Sequence, residues 1–143
     1  MSLRGLSLLL AGLLAAPALA ADRYLVESSL WLDGQLAGTP TLIVEADEPA
    51  SLERGGEVGF RLTLMVEPVL DELVPQDILW LHVTIEQLGD EGWEELADSM
   101  LGAREGEPTT LSVVEAGQEA TPESASLFLE ARISRLRPAD QPN

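Results

Sequence analysis

The sequence predicts an all-β fold, an antiparallel β-sandwich of immunoglobulin-like or related type with about seven or eight strands. Three observations carry this. Short runs of alternating apolar and polar residues recur along the chain. Turn-forming residues separate them at roughly 8–12-residue intervals, the spacing of a sandwich. No stretch shows the helical patterning that a parallel sheet needs between its strands.

Tyr24 to Leu32 reads as the first strand, with Tyr24, Val26, Ser28, Leu30 and Leu32 on one face. Asp33-Gly34 is a hairpin signal. Gln35 to Pro40 continues loosely, and Pro40 suits an edge or a strand start because it has no N–H to donate. Thr41 to Ala46 alternates again. Asp47-Glu48-Pro49 turns the chain into a short strand from Ala50 to Leu52, which Gly55-Gly56 ends. Phe60 to Glu67 is the cleanest alternation: Phe60, Leu62, Leu64 and Val66 face in, and Arg61, Thr63, Met65 and Glu67 face out. Pro68 to Asp77 is a long connection in which Val69 to Val74 has room for one helical turn. Ile78 to Leu88 is a long strand with Leu79, Leu81, Val83 and Ile85 on one face and Trp80, His82, Thr84 and Glu86 on the other. Gly89 to Gly92 is a turn. Trp93 to Met100 fits a strand or a short helix, since Glu94-Glu95-Leu96-Ala97 favours helix. A turn at Glu105 to Pro108, a β-branched strand from Thr109 to Val114, a polar loop from Ala116 to Ser124 and a last strand from Ser126 to Ser134 complete the series.

The 143 residues suffice for one domain with one core. Residues 1–20 read as an export signal. Arg4 gives a positive start, Leu6 to Ala16 an apolar stretch, Pro17 a break, and Ala18-Leu19-Ala20 a small-x-small cleavage site. The apolar stretch is shorter than the ~20 residues that span a bilayer. Cleavage after Ala20 leaves a soluble domain over 21–137 and a frayed tail over 138–143, in the periplasm or secreted.

The chain also carries an internal near-repeat. Asp47-Glu48-Pro49-Ala50-Ser51-Leu52 matches Gly106-Glu107-Pro108-Thr109-Thr110-Leu111 at an offset of 59, and Leu42 matches Leu101 at the same offset. Each copy follows a strand and a turn and precedes a closing strand, an order compatible with two halves related by a pseudo-two-fold axis, though shared turn chemistry among β-proteins gives such matches too.

Pro40-Thr41-Leu42-Ile43-Val44 followed by Glu48-Pro49-Ala50-Ser51-Leu52 resembles a strand pair in small exported β-sandwich proteins of proteobacteria. A similar P-x-L-x-V, then G-E-x-A-x-L, pattern occurs in secretin-type outer-membrane ring proteins. This chain has Asp47 where that pattern has Gly, and it lacks the rest of a secretin. The resemblance implies an exported β-domain and brings no site residues with it.

Composition excludes much chemistry. All eight basic residues are Arg, so there is no Schiff-base or phosphate-loop lysine. The absence of Cys removes thiol catalysis, disulfides and thiolate metal sites. Without Arg4, seven Arg face 25 acids, a formal charge of −18 that repels nucleic acid and anionic lipid. A Ser–His–acid triad has to use His82, the single histidine, and no G-x-S-x-G elbow accompanies it. No catalytic residue, metal ligand or cofactor is assigned. Asp71, Glu72 and Asp77 along one loop, with Asp90, Glu91, Glu94 and Glu95 at another, are hard oxygen donors of the kind Ca²⁺ takes, but no EF-hand spacing is present.

The aromatics are the better clue. Trp31 and Trp80 lie on the faces opposite the leucines, and Phe128 lies opposite Leu127 and Leu129. The outer face of a sandwich is ordinarily polar. Trp31, Trp80, His82 and Phe128, with Met65, are therefore the expected interaction surface. The expected function is non-catalytic: binding or adapting another exported protein, through this face or a strand edge. The alternative is an acidic module for Ca²⁺ or a small ligand.

Overall fold

The computed structural model describes residues 22–56 and 58–137. The leader and the tail expected at 1–20 and 138–143 lie outside them. The described residues form nine strands in two antiparallel sheets: β1 (Arg23–Leu32), β2 (Gln35–Gly38), β3 (Thr41–Glu45), β4 (Ala50–Arg54), β5 (Phe60–Pro68), β6 (Ile78–Gly89), β7 (Gly92–Arg104), β8 (Pro108–Val113) and β9 (Leu127–Leu136). Sheet A runs β2-β1-β9-β8, with β3 beside β2 along the same edge of β1; sheet B runs β4-β5-β6-β7. This is the two-layer all-β fold the alternation predicts.

Nine strands replace the seven or eight expected, because Gln35–Gly38 pairs with β1 as a strand of its own. Two ambiguous segments are also resolved. Trp93 to Met100 is strand, not helix, because β7 pairs along its length with β6. Val69 to Val74 forms a hydrogen-bonded turn instead of a helical one, closed by Val74 N–H donating to the Asp71 carbonyl at 3.0 Å.

The core lies between the sheets. Tyr24, Val26, Leu30 and Leu32 of β1 and Leu127, Leu129, Ala131 and Ile133 of β9 meet Phe60, Leu62, Leu64 and Val66 of β5 and Leu79, Leu81, Val83 and Ile85 of β6. Alternate residues are buried from Tyr24 to Leu32, Phe60 to Val66, Leu79 to Ile85 and Leu127 to Ile133. Each fully buried Leu or Ile contributes about 1.5–3 kcal/mol by leaving water. Ser28 is the buried polar residue in this face, and its hydroxyl donates to the Pro40 carbonyl at 2.8 Å. That bond ties down the break where the chain passes from β2 to β3.

The two halves of the chain are equivalent. Exchanging β1 with β6, β2/β3 with β7, β4 with β8 and β5 with β9 turns sheet A into sheet B. The register follows the exchange: Leu30 opposes Leu129 as Ile85 opposes Leu62. Each half has one bulge, which skips Ala37 in the first and Leu96 in the second, and both residues pack on the core. The passage between sheets is built twice in the same way. Asp47 N–H donates to Val66 at 2.9 Å and Gly106 N–H to Ile133 at 2.8 Å; Glu48 N–H donates to Glu45 at 3.1 Å and Glu107 N–H to Arg104 at 3.0 Å. Asp47 has φ 62° and Gly106 φ 82°. Both turns need a residue in the left-handed region, which Gly adopts freely and Asp tolerates.

Candidate functional site

The pairing of strands decides which side chains share a surface. Trp31 opposes Phe128 across β1 and β9. Their rings meet edge to face, with centroids 5.7 Å apart and planes at 79°, the arrangement a ring quadrupole favours. Both are partly buried on the outer face of sheet A.

Trp80 and His82 lie on the outer face of sheet B. The interaction surface expected from the sequence is thus two surfaces: Trp31 and Phe128 on one side of the molecule, Trp80, His82 and Met65 on the other. Side-chain parity along a strand tells inner face from outer, but not which sheet the strand joins. β1 and β9 belong to one layer and β5 and β6 to the other, so the aromatics cannot form one patch.

On sheet B, Met65 opposes His82, and His82 opposes Met100. The next row is Glu67, Trp80 and Gly102. Gly102 has no side chain, and the Trp80 indole lies over it; a Cβ there would sit 3.7 Å from Trp80 Cζ3. Trp80 remains 39% exposed and Met100 53%. The imidazole Nε2 of His82 lies 2.9 Å from Glu67 Oε2, a partly buried contact along the diagonal. Further along, Arg61 Nε donates to Glu53 Oε1 at 3.0 Å, with Nη1 at 3.5 Å from Glu86. The same guanidinium stacks on Trp93, 4.3 Å from the ring centroid.

Beyond the Glu67–Trp80 row, sheet B ends in the loop from Val69 to Asp77. Asp71 shapes it, with Oδ1 accepting from Leu73 N–H at 2.9 Å. The turn holds Leu70 and Leu73 away from the body, each 93% exposed. Loop, Asp22 and Arg135 border an open hollow. A second, more polar hollow on sheet A is lined by Glu27, Ser29, Thr41, Glu130 and Arg132.

Of the acidic loop residues, Asp71 and Asp77 have separate partners. Asp77 Oδ2 is 3.4 Å from Arg104 Nη1. No group of three or more His, Asp or Glu side chains among the described residues is placed to hold a metal ion. No described helix is long and apolar enough to cross a membrane.

One buried polar atom stands out. The Tyr24 hydroxyl has no hydrogen-bond partner among the described residues. Burial pushes its pKa up, and Arg135, whose guanidinium lies 5.7 Å from the ring centroid, pulls it part of the way back.

Sequence reasoning missed Met100, Leu70 and Leu73. Register counted back from the two-residue turn at Asp90-Glu91 places Met100 opposite His82, but only once the bulge at Leu96 is included. The chain matches no family model, no curated protein and no solved structure.

Proposed function

We propose that this protein is a non-catalytic binding domain of the exported compartment, which docks another exported protein through the Trp80 end of sheet B. The observation that carries this reading is the pair Leu70 and Leu73, each 93% exposed at the tip of one loop. Large apolar residues held that far into water are commonly partner anchors. Asp71 and Glu72 sit between them, in a chain of net charge −17. The partner that fits is a protein with an apolar cleft and a basic rim. Trp80, two residues into β6 from the loop, extends the surface. The compartment rests on the leader read at residues 1–20.

Photo-crosslinking in a bacterium that exports the protein tests this. A benzophenone side chain is placed at 70 or 73, and at Gln118 in the β8–β9 loop as control. The reading expects a discrete adduct from 70 and 73, absent from 118 and lost when the other leucine becomes Asp. No adduct, or the same adducts from all three positions, contradicts it.

A further inference from the structure

We propose that the outer face of sheet B carries a site for a soft monovalent cation, Cu(I), built from Met65, His82 and Met100. The proposal does not depend on the docking surface.

The first observation is coincidence of position. The chain has three Met, one His and no Cys. Apart from Met1, every thioether and the single imidazole fall in one row of three adjacent strands, on one face. Leu64 and Val66 flank Met65 inward, and Leu81 and Val83 flank His82, so both point out. Met100 precedes core-packed Leu101 and is exposed.

The second is reach. Neighbouring strands lie about 4.8 Å apart, so each sulfur leans in by about one strand spacing to meet the imidazole. Methionine has three rotatable bonds with which to do it.

The third is the state of the histidine. With Nε2 engaged by Glu67 Oε2 at 2.9 Å, Nδ1 is the nitrogen left for a metal. A carboxylate holding the other ring nitrogen is the usual support of a ligating histidine. Neutral thioethers select Cu(I), whereas Ca²⁺ wants hard oxygens and Zn²⁺ thiolates or several imidazoles. Trp80 lies on the same face in the neighbouring row, its indole over Gly102.

The fourth is the equivalent row of sheet A, which is Arg132, Glu27 and Thr41. It has no soft donor. The scaffold therefore does not require methionine at these positions.

The test uses the full chain labelled with ¹³C in its methionine methyls and titrated with Ag(I), which shares the filled d shell of Cu(I) and needs no reductant. The Met65 and Met100 methyl signals are expected to shift together and saturate at one equivalent. The Met1 signal, where the leader is retained, stays in place. Equimolar Zn(II) leaves the two unmoved. Met65→Leu and Met100→Leu, both at the surface and near in volume, each weaken Ag(I) binding at least tenfold while thermal unfolding without metal is unchanged. Shifts that never saturate, a shift of one methyl alone, or leucine variants that bind Ag(I) as tightly as the parent overturn the proposal.

Discussion

The outer faces of the two sheets occupy topologically equivalent places in the fold, yet they carry opposite chemistry. Where sheet A has the Trp31–Phe128 ring pair, sheet B has Glu86 and Arg61 joined as an ion pair 3.5 Å apart. Where sheet B has Met65, His82 and Met100, sheet A has Arg132, Glu27 and Thr41. The inner faces agree: Val26 answers Leu81, Leu30 answers Ile85, and Leu129 answers Leu62, all buried. Packing restrains the inside of both halves alike, because a close-packed core feels a change of one methylene. The outside carries no such restraint, so differences between equivalent outer positions point to what each face does.

Equivalence makes its strongest prediction in the core. Leu62→Ala and Leu129→Ala should each cost about 2–5 kcal/mol, the range for emptying a buried leucine site. The two costs should agree within about 1 kcal/mol, read from urea unfolding. A large cost at one and almost none at the other breaks the equivalence. A smaller effect comes from Gly38, whose counterpart in the second half is Ala97. A Cβ at Gly38 would lie 2.8 Å from Arg54 Nη1 and 3.2 Å from the Phe60 ring. Arg54 can move aside, but Phe60 is fixed in the core. Gly38→Ala is therefore expected to destabilise by about 1–3 kcal/mol, as overpacking does, although its counterpart already carries that methyl. A neutral result would mean that Phe60 yields.

Tyr24 is the counterpart of Leu79, and both are buried. Leu79 brings no polar atom; Tyr24 brings a hydroxyl with no hydrogen-bond partner among the described residues. Tyr24→Phe should stabilise by about 1 kcal/mol, the desolvation relieved by removing it. A loss of similar size would mean that the hydroxyl bonds to Arg135 or to water in solution.

The smallest effect is at the passage between sheets. Glu107 lies 4.0 Å from Arg104, whereas the equivalent pair is Glu48 and Glu45, two acids. Hydrogen bonding to Glu45 and its charge raise the Glu48 pKa. The folded state then holds more protons than the unfolded state between the ordinary carboxyl value and the raised one. Stability from this pair therefore rises as pH falls through that window, and is lost above it. Glu48→Gln should flatten this pH dependence and leave neutral-pH stability equal or slightly higher, with salt reducing the difference. A pH profile identical to the parent's would show that the two carboxyls do not meet.

The sequence made the strands legible wherever one face is buried and the other wet, as from Phe60 to Glu67. It also showed the repeat, because the Glu-Pro turn needs particular residues in both copies. β7 was ambiguous for a physical reason: the bulge at Leu96 interrupts its alternation, and Glu94 to Ala97 are good helix formers. The candidate site was half legible. Outward-facing Trp80, His82 and Met65 followed from parity, but grouping them with Trp31 and Phe128 required the strand order, which depends on long-range pairing. Met100 required the register across the bulge. Leu70 and Leu73 gave no periodic signal, since a loop has none.

The most direct test of two separate outer faces is a ¹³C-edited nuclear Overhauser spectrum of the folded protein in solution. Cross-peaks are expected from the His82 ring to the methyls of both Met65 and Met100, and from the Trp31 ring to Phe128, with none between Trp31 and Trp80. A Trp31–Trp80 cross-peak, or a His82 ring silent toward both methyls, would contradict this arrangement.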